Sequence, residues 1–259
     1  MLLVISPAKA LDFKTPPVVT TFSQPRFLDQ SQQIIDRLRQ FSPAELASLM
    51  KISDPLAVLN ATRYGEWQQP FTVENAKQAA LAFDGDVYDG LQALTLTADD
   101  WQFAQQHLRI LSGLYGVLRP LDLIQPYRLE MGTLLANARG RDLYAFWGER
   151  LTDILNDDLR AVEANQLVNL ASQEYFKSIV AKKIAVSVVQ PVFEDWNGGR
   201  YRIISFHAKR ARGLMARFII DNRLRDVSAL RDFAVDGYRY VTESSDDKVC
   251  LFRRRGREQ

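Results

Sequence analysis

The stretch from Ser205 to Arg223 is the most informative in the chain for groups able to hold an anion. At 100° per residue, Ala211, Leu214, Met215, Phe218 and Ile219 fall on one arc of a helix. Lys209, Arg212 and Arg223 gather on one flank of the opposite surface, Arg210 and Arg217 on the other, and only Gly213 and Ala216 lie between them. Residues that small would let a ligand backbone approach closely. Lys209 and Arg210 fall in the expected first turn, where the helix dipole prefers Asp or Glu by about 0.3–1 kcal/mol each. An anion bound there would explain the inversion, because free N–H groups at a helix start and adjacent cations both hold phosphate. A solvated amphipathic helix whose arginines pair with carboxylates elsewhere accounts for the same pattern.

A second candidate is Leu111 to Pro120, in which a helix is expected to end at Gly113, turn through Leu114 and Tyr115, and restart after Gly116. This resembles a helix-hairpin-helix, whose backbone N–H groups sit against a phosphate and whose glycines keep side chains out of the way. Ser112, Gly113, Tyr115, Gly116 and Arg119 are its candidate contacts; a glycine C-cap followed by a tight turn explains Gly113 equally well. Third, Lys9 follows the apolar run Leu2–Ile5 in the loop Ser6-Pro7-Ala8, the kind of strand end where substrates are held, although the glycines of a phosphate loop are missing. Arg128 and Glu130, and Glu174 and Tyr175, stand where they could line a cleft. No Gly-x-Ser-x-Gly elbow, Cys/His pair or His-Glu-x-x-His pattern is present, so no catalytic residue is assigned.

The elements that must position these groups are legible in outline. Leu2–Ile5 reads as a buried strand, and Leu28, Ile34, Ile35 and Leu38 mark an amphipathic helix. Ser42-Pro43 with Glu45, Asp54-Pro55, Thr72, and Thr97 with Asp100 read as helix starts, the last two helices running to about Phe83 and Leu111. Asp142 to Glu163 predicts the longest helix. Beyond it, Leu167–Leu170, Ile184–Phe193, Tyr201–Phe206, Tyr238–Val241 and Val249–Phe252 are strand-like, with Asn197-Gly198-Gly199 as a hairpin turn. The expectation is one α+β domain over residues 1–259, a compact mixed α/β unit with a helical middle (about 28–163, a candidate subdomain) and a mostly carboxy-terminal sheet.

Composition narrows the function. Of 259 residues, 47% are hydrophobic and 25% charged, as in folded globular proteins, and no apolar run is long enough to span a bilayer or resemble a signal peptide, so a cytoplasmic protein is expected. One cysteine, Cys250, and two histidines, His107 and His207, argue against a metal or disulfide framework, and no cofactor is expected. The net charge of +2 conceals an asymmetry: residues 200–259 hold 15 Lys or Arg against 8 Asp or Glu, leaving 18 against 23 elsewhere. Arg253, Arg254, Arg255 and Arg257 read as either a disordered end or a binding arm. Such asymmetry suits contact with a polyanion.

Taken together the segments MLLVISPAK followed by LDF, LSGLYGVLRPLDLIQPYRLEMG, NLASQEYFKS and ISFHAKRARGLMARFII are more specific than any one of them. The chain resembles the YaaA peroxide-stress family along nearly its whole length. That resemblance implies a cytosolic bacterial protein with a mixed α/β fold that binds double-stranded DNA through a positively charged cleft with a helix-hairpin-helix, and that keeps unincorporated iron low under peroxide. It places Gly113 and Gly116 on the hairpin and Lys9, Lys209, Arg210 and Arg212 at the basic positions. The rival function is an enzyme acting on a small phosphorylated or nucleotide-like substrate held by Lys9 and the Lys209/Arg210 helix start, with Glu130 or Glu174 as acid or base and Tyr175 assisting.

Overall fold

A computed structural model describes residues 1–255; Arg257 lies outside the described residues. The twelve strands are β1 (Leu2–Ile5), β2 (Ala10–Leu11), β3 (Lys77–Gln78), β4 (Phe83–Asp84), β5 (Leu108–Ser112), β6 (Gly116–Leu118), β7 (Leu123–Ile124), β8 (Gln166–Leu170), β9 (Ser187–Asn197), β10 (Arg200–Arg202), β11 (Arg239–Tyr240) and β12 (Val249–Arg254). Eight of them make the main sheet, in the order β11-β12-β9-β8-β1-β5-β6 with β10 against β9. The five inner strands β12, β9, β8, β1 and β5 are parallel, while β6, β10 and β11 pair antiparallel. An unbroken apolar run is what a parallel strand covered on both faces needs, and all four residues of β1 are fully buried. The hairpin between β9 and β10 turns through Gly198 and Gly199, both at positive φ, as the sequence predicted.

The helices are α1 (Leu28–Leu38), α2 (Pro43–Met50), α3 (Asp54–Glu66), α4 (Ala79–Ala82), α5 (Asp86–Leu91), α6 (Ala98–His107), α7 (Leu143–Trp147), α8 (Arg150–Ala161), α9 (Gln173–Phe176) and α10 (Ser205–Asp221). Two starts form the reciprocal capping box that the sequence predicts. Glu45 N–H donates to Ser42 Oγ while Ser42 N–H donates to Glu45 Oε2 at 2.7 Å, and Thr97 and Asp100 repeat the arrangement. Other expectations fail for local reasons. The predicted 142–163 helix is two helices, because the chain takes a left-handed turn at Gly148. The helix expected from Thr72 shrinks to α4, with Lys77–Gln78 pairing instead against β7.

The strand order positions the site. From β1 the chain crosses to β5 on one side, yet its next parallel strand, β8, lies on the other side of β1. The carboxyl ends of β1 and β8 therefore flank the sheet's switch point, where open parallel sheets leave a crevice. The Met1 ammonium donates to Arg225 O at 3.0 Å, which fixes the end of α10 at the amino-terminal edge of β1. The 17 residues of α10 extend about 25 Å whereas four-residue β1 spans about 13 Å. Hence the first turns of α10 reach the carboxyl edge.

A close helix crossing holds α10 there. A Cβ on Gly213 would lie 1.8 Å from Val87 O, and one on Gly90 2.3 Å from Arg210 O. Gly213 and Ala216, expected to admit a ligand backbone, instead pack inside the fold: both are buried, with Gly213 against α5. Gly213→Ala is expected to cost about 1–3 kcal/mol of stability by overpacking, read as a lowered urea midpoint, and a midpoint equal to wild type would show that the crossing relaxes freely.

Candidate functional site

The helix-hairpin-helix expectation is corrected first. Helix α6 ends at His107, and residues 108–118 form the β5–β6 hairpin, with Ser112 opposite Gly116. Leu108, Ile110, Leu111, Val117 and Leu118 are all but fully buried, and apolar runs of this kind are better satisfied in the sheet than on two short helices. The glycines answer to packing. A Cβ on Gly113 would sit 2.5 Å from Leu129 O, and one on Gly116, at φ +72°, would sit 2.9 Å from Trp147 and from Leu151. Ser112 Oγ meets Tyr127 OH at 2.6 Å and accepts from Tyr115 N–H, while Tyr115 OH, fully buried, accepts from Trp67 Nε1 at 3.0 Å. Ser112, Gly113, Tyr115 and Gly116 are thus core residues.

The basic candidates divide between two edges. Arg119 belongs to the amino-terminal edge, where it binds Asp122 and Gln24 O and lines a cavity of about 510 Å³ with His107, Arg109, Asp158 and Arg225. Arg217 is turned back into the fold, donating to Asp221, Gln92 O and Thr95 Oγ1. Neither lies on the surface that carries Lys9.

At the carboxyl edge the remaining candidates converge. The loop after β1 is tied to the loop after β8 by Ser172 N–H donating to Ser6 Oγ at 2.9 Å, and to α5 by Tyr88 OH donating to Ser6 O at 3.1 Å. Ala10 pairs with Asp84 just before α5 begins, and a Cβ on Gly85 would come within 3.4 Å of Ala8. Since α5 is the helix that crosses α10, it bridges the Lys9 loop to Lys209 and Arg210; Lys209 Nζ stands 3.9 Å from Asp86, and Arg210 Nη1 2.6 Å from Asp236. Lys9 itself meets Glu130 at 3.1 Å, and Arg128 shares that carboxylate at 3.2 Å. Glu174 Oε1 accepts from Gly132 N–H at 2.9 Å. Below this rim, burial pushes the hydroxyls of Tyr88, Tyr127 and Tyr175 well above the usual tyrosine range, so all three are neutral hydrogen-bonding groups at physiological pH.

Helix α10 differs in register from the sequence expectation. It begins at Ser205, so Lys209 and Arg210 occupy the second turn; the first turn contains no acidic residue and Ile204 offers no side-chain cap. Its buried arc runs through Ala208, Ala211, Met215 and Ile219, with Leu214 and Phe218 only partly covered. Arg212 therefore points inward, half-buried, and no hydrogen bond or ion pair holds it among the described residues; burial lowers its guanidinium pKa from the usual value. Phe206 and Ile203, each 58% exposed, lie near Lys209 and Arg210 on the chain; the strand expected over Tyr201–Phe206 ends at Arg202, leaving Ile203 in the connection and Phe206 in the first turn of α10. Their exposure could not be read from residue type.

Comparison with known proteins decides the family. A family model described as peroxide stress protein YaaA matches residues 1–244. The chain belongs to the YaaA peroxide-stress family. Among its relatives is a UPF0246 protein of Dechloromonas aromatica, 62% identical over 255 residues, covering 98% of this chain and 99% of the relative. A UPF0246 protein of Ralstonia nicotianae is 60% identical over 255 residues with the same coverage, and one of Burkholderia cenocepacia is 58% identical over 257 residues. The family's name is consistent with a role in peroxide stress. Among the described residues, no helix is long and apolar enough to cross a membrane.

Proposed function

We propose that this peroxide-stress protein binds double-stranded DNA, largely without sequence preference, across the carboxyl edge of its sheet. The observation that carries the reading is that Lys9, Lys209 and Arg210 lie at one edge of the sheet, beside a long helix that also carries half-buried Arg212 and whose first turn has no side-chain cap and no acidic residue. Pairs such as Lys209–Asp86 and Arg210–Asp236 are part-exposed, and exposed pairs contribute about 0–1 kcal/mol, so exchanging either carboxylate for a phosphate costs little. Exposed Phe206 and Ile203 add apolar contact of the kind that wedges against bases in a minor groove. Anisotropy on two unrelated duplexes at two salt concentrations, with a free nucleotide as competitor, tests this. Salt-steep binding to both duplexes supports it, and absence of duplex binding overturns it.

One observation favours a second reading. Glu130, held between Lys9 and Arg128, and Glu174 stand at the switch point, where small phosphorylated substrates are commonly bound in parallel sheets. Nucleotide binding that competes out no DNA, with turnover lost in Glu130→Gln, would establish this enzyme reading.

Damage by unincorporated iron would then be limited by shielding DNA rather than by holding the metal. The soft donors are dispersed: His107 Nδ1 sits 2.9 Å from Met1 O, Cys250 is a buried free thiol in β12, and His207 on α10 faces Asp195 at 3.4 Å. Purified protein titrated with ferrous iron and desalted is expected to retain far less than one equivalent, and stoichiometric retention would sink the shielding account.

A further inference from the structure

The far end of the sheet presents a second surface that combines arginines with aromatic rings. Strands β11, β12, β9 and β10 are neighbours, and side chains alternate across them. Phe193, Asp195 and Phe252 turn toward the core, so the register sends Glu194, Trp196, Arg253 and Arg255 to the opposite face, and it sets Tyr201 across from Trp196 and Arg239 across from Arg253. The two rings meet edge to face at 5.0 Å; the Arg253 guanidinium lies 4.7 Å from the Tyr201 ring, and that of Arg255 5.1 Å from Trp196. A hollow of about 470 Å³ opens beside them, lined by Tyr201, Gly237, Arg239, Val241, Arg253 and Arg255. Among the described residues of these strands, the register sends one carboxylate to this face, Glu194, which accepts from Arg253 Nε at 2.9 Å.

Arginine side chains interleaved with two aromatic rings on one sheet face match what an unpaired strand offers: a phosphate at each step and a π-face at each base. A duplex must be unstacked at some cost before its base faces are exposed, whereas a single strand offers them freely to these rings. We propose that the β11-β12-β9-β10 face binds single-stranded DNA, with bases stacking on Trp196 and Tyr201 and phosphates held by Arg239, Arg253 and Arg255. The inference rests on the nucleic-acid reading above but uses a different face, so each can fail without the other.

Trp196 supplies the test, because it is the exposed member of four tryptophans: it is 36% accessible, against 0–3% for Trp67, Trp101 and Trp147. Adding oligo(dT) to the full chain should quench tryptophan emission. The quench should vanish in Trp196→Phe while anisotropy still reports binding. Trp196→Ala with Tyr201→Ala should weaken oligo(dT) binding at least tenfold, with circular dichroism and blunt-duplex binding unchanged. Replacing Lys209, Arg210 and Arg212 should leave the quench intact. Unaltered emission at saturating oligo(dT), a quench that persists in Trp196→Phe, undiminished affinity in the double alanine variant, or tighter binding of oligo(U) than of oligo(dT) would each overturn the assignment. If duplex binding fails while Trp196 is quenched, the α10 surface is the reading lost.

Discussion

Replacing Lys209, Arg210 and Arg212 together by alanine is expected to weaken binding to every duplex alike and to flatten its salt dependence. Each neutralised phosphate contributes about −0.9 to the slope of log K against log salt, so three lost contacts remove about 2.7. Extended to 1 M salt, where counterion release vanishes, that slope corresponds to about 3 × 10³-fold in affinity at 50 mM. The variant should fold, since Lys209 and Arg210 are exposed and their partners Asp86 and Asp236 remain solvated. Arg212 sharpens the test. A half-buried guanidinium without an acceptor costs stability, so Arg212→Met alone should raise the melting temperature while lowering DNA affinity. A folded triple variant with unchanged affinity and slope would remove this surface from consideration.

What the sequence made legible were the features with local causes. Ser42 with Glu45 and Thr97 with Asp100 announce helix starts because the cap satisfies backbone donors within four residues. The uninterrupted apolar run of β1 and the Gly198-Gly199 hairpin are local in the same sense. The misreadings needed partners distant in the chain. Leu108–Leu118 has an apolar content that serves a helix or a buried strand equally, and β1 decides it by pairing with β5. Gly213 reads as an open helix face until α5 arrives against it. The Lys9–Glu130 and Ser6–Ser172 contacts join segments 121 and 166 residues apart, so the sequence could nominate these residues singly but could not assemble them. Arg253 and Arg254, open as tail or arm, proved to be the end of an inner strand whose alternation gives the two arginines opposite faces.

The largest stability effect is expected at the other edge of the sheet. Asp158 on α8 accepts both Arg26 Nη1 and Nη2 at 2.8 Å and Arg109 Nε at 2.6 Å, joining the segment before α1, strand β5 and helix α8 through one carboxylate. Arg109 is 4% exposed and cannot turn to water. Asp158→Ala would leave two guanidinium groups facing each other without a counter-charge, a change that costs about 3–5 kcal/mol when a buried pair is broken from one side. For a chain of this size that lowers the melting temperature by about 6–20 °C. Asp158→Asn keeps the shape and one acceptor, so its loss should be smaller. The pH dependence follows from the carboxyl's own shift: burial alone would raise it, but hydrogen bonds from Arg26 and Arg109 outweigh burial and hold it below the usual carboxylate range. A depressed folded-state value means that the contribution is complete above the unfolded aspartate pKa near 3.9 and fades as pH falls through the folded value. Wild type should therefore lose melting temperature more steeply than Asp158→Asn below about pH 4, with the two curves parallel between pH 5 and 7. Parallel curves down to pH 3, or an Asp158→Ala protein that melts with wild type, would show that the two arginines find other acceptors.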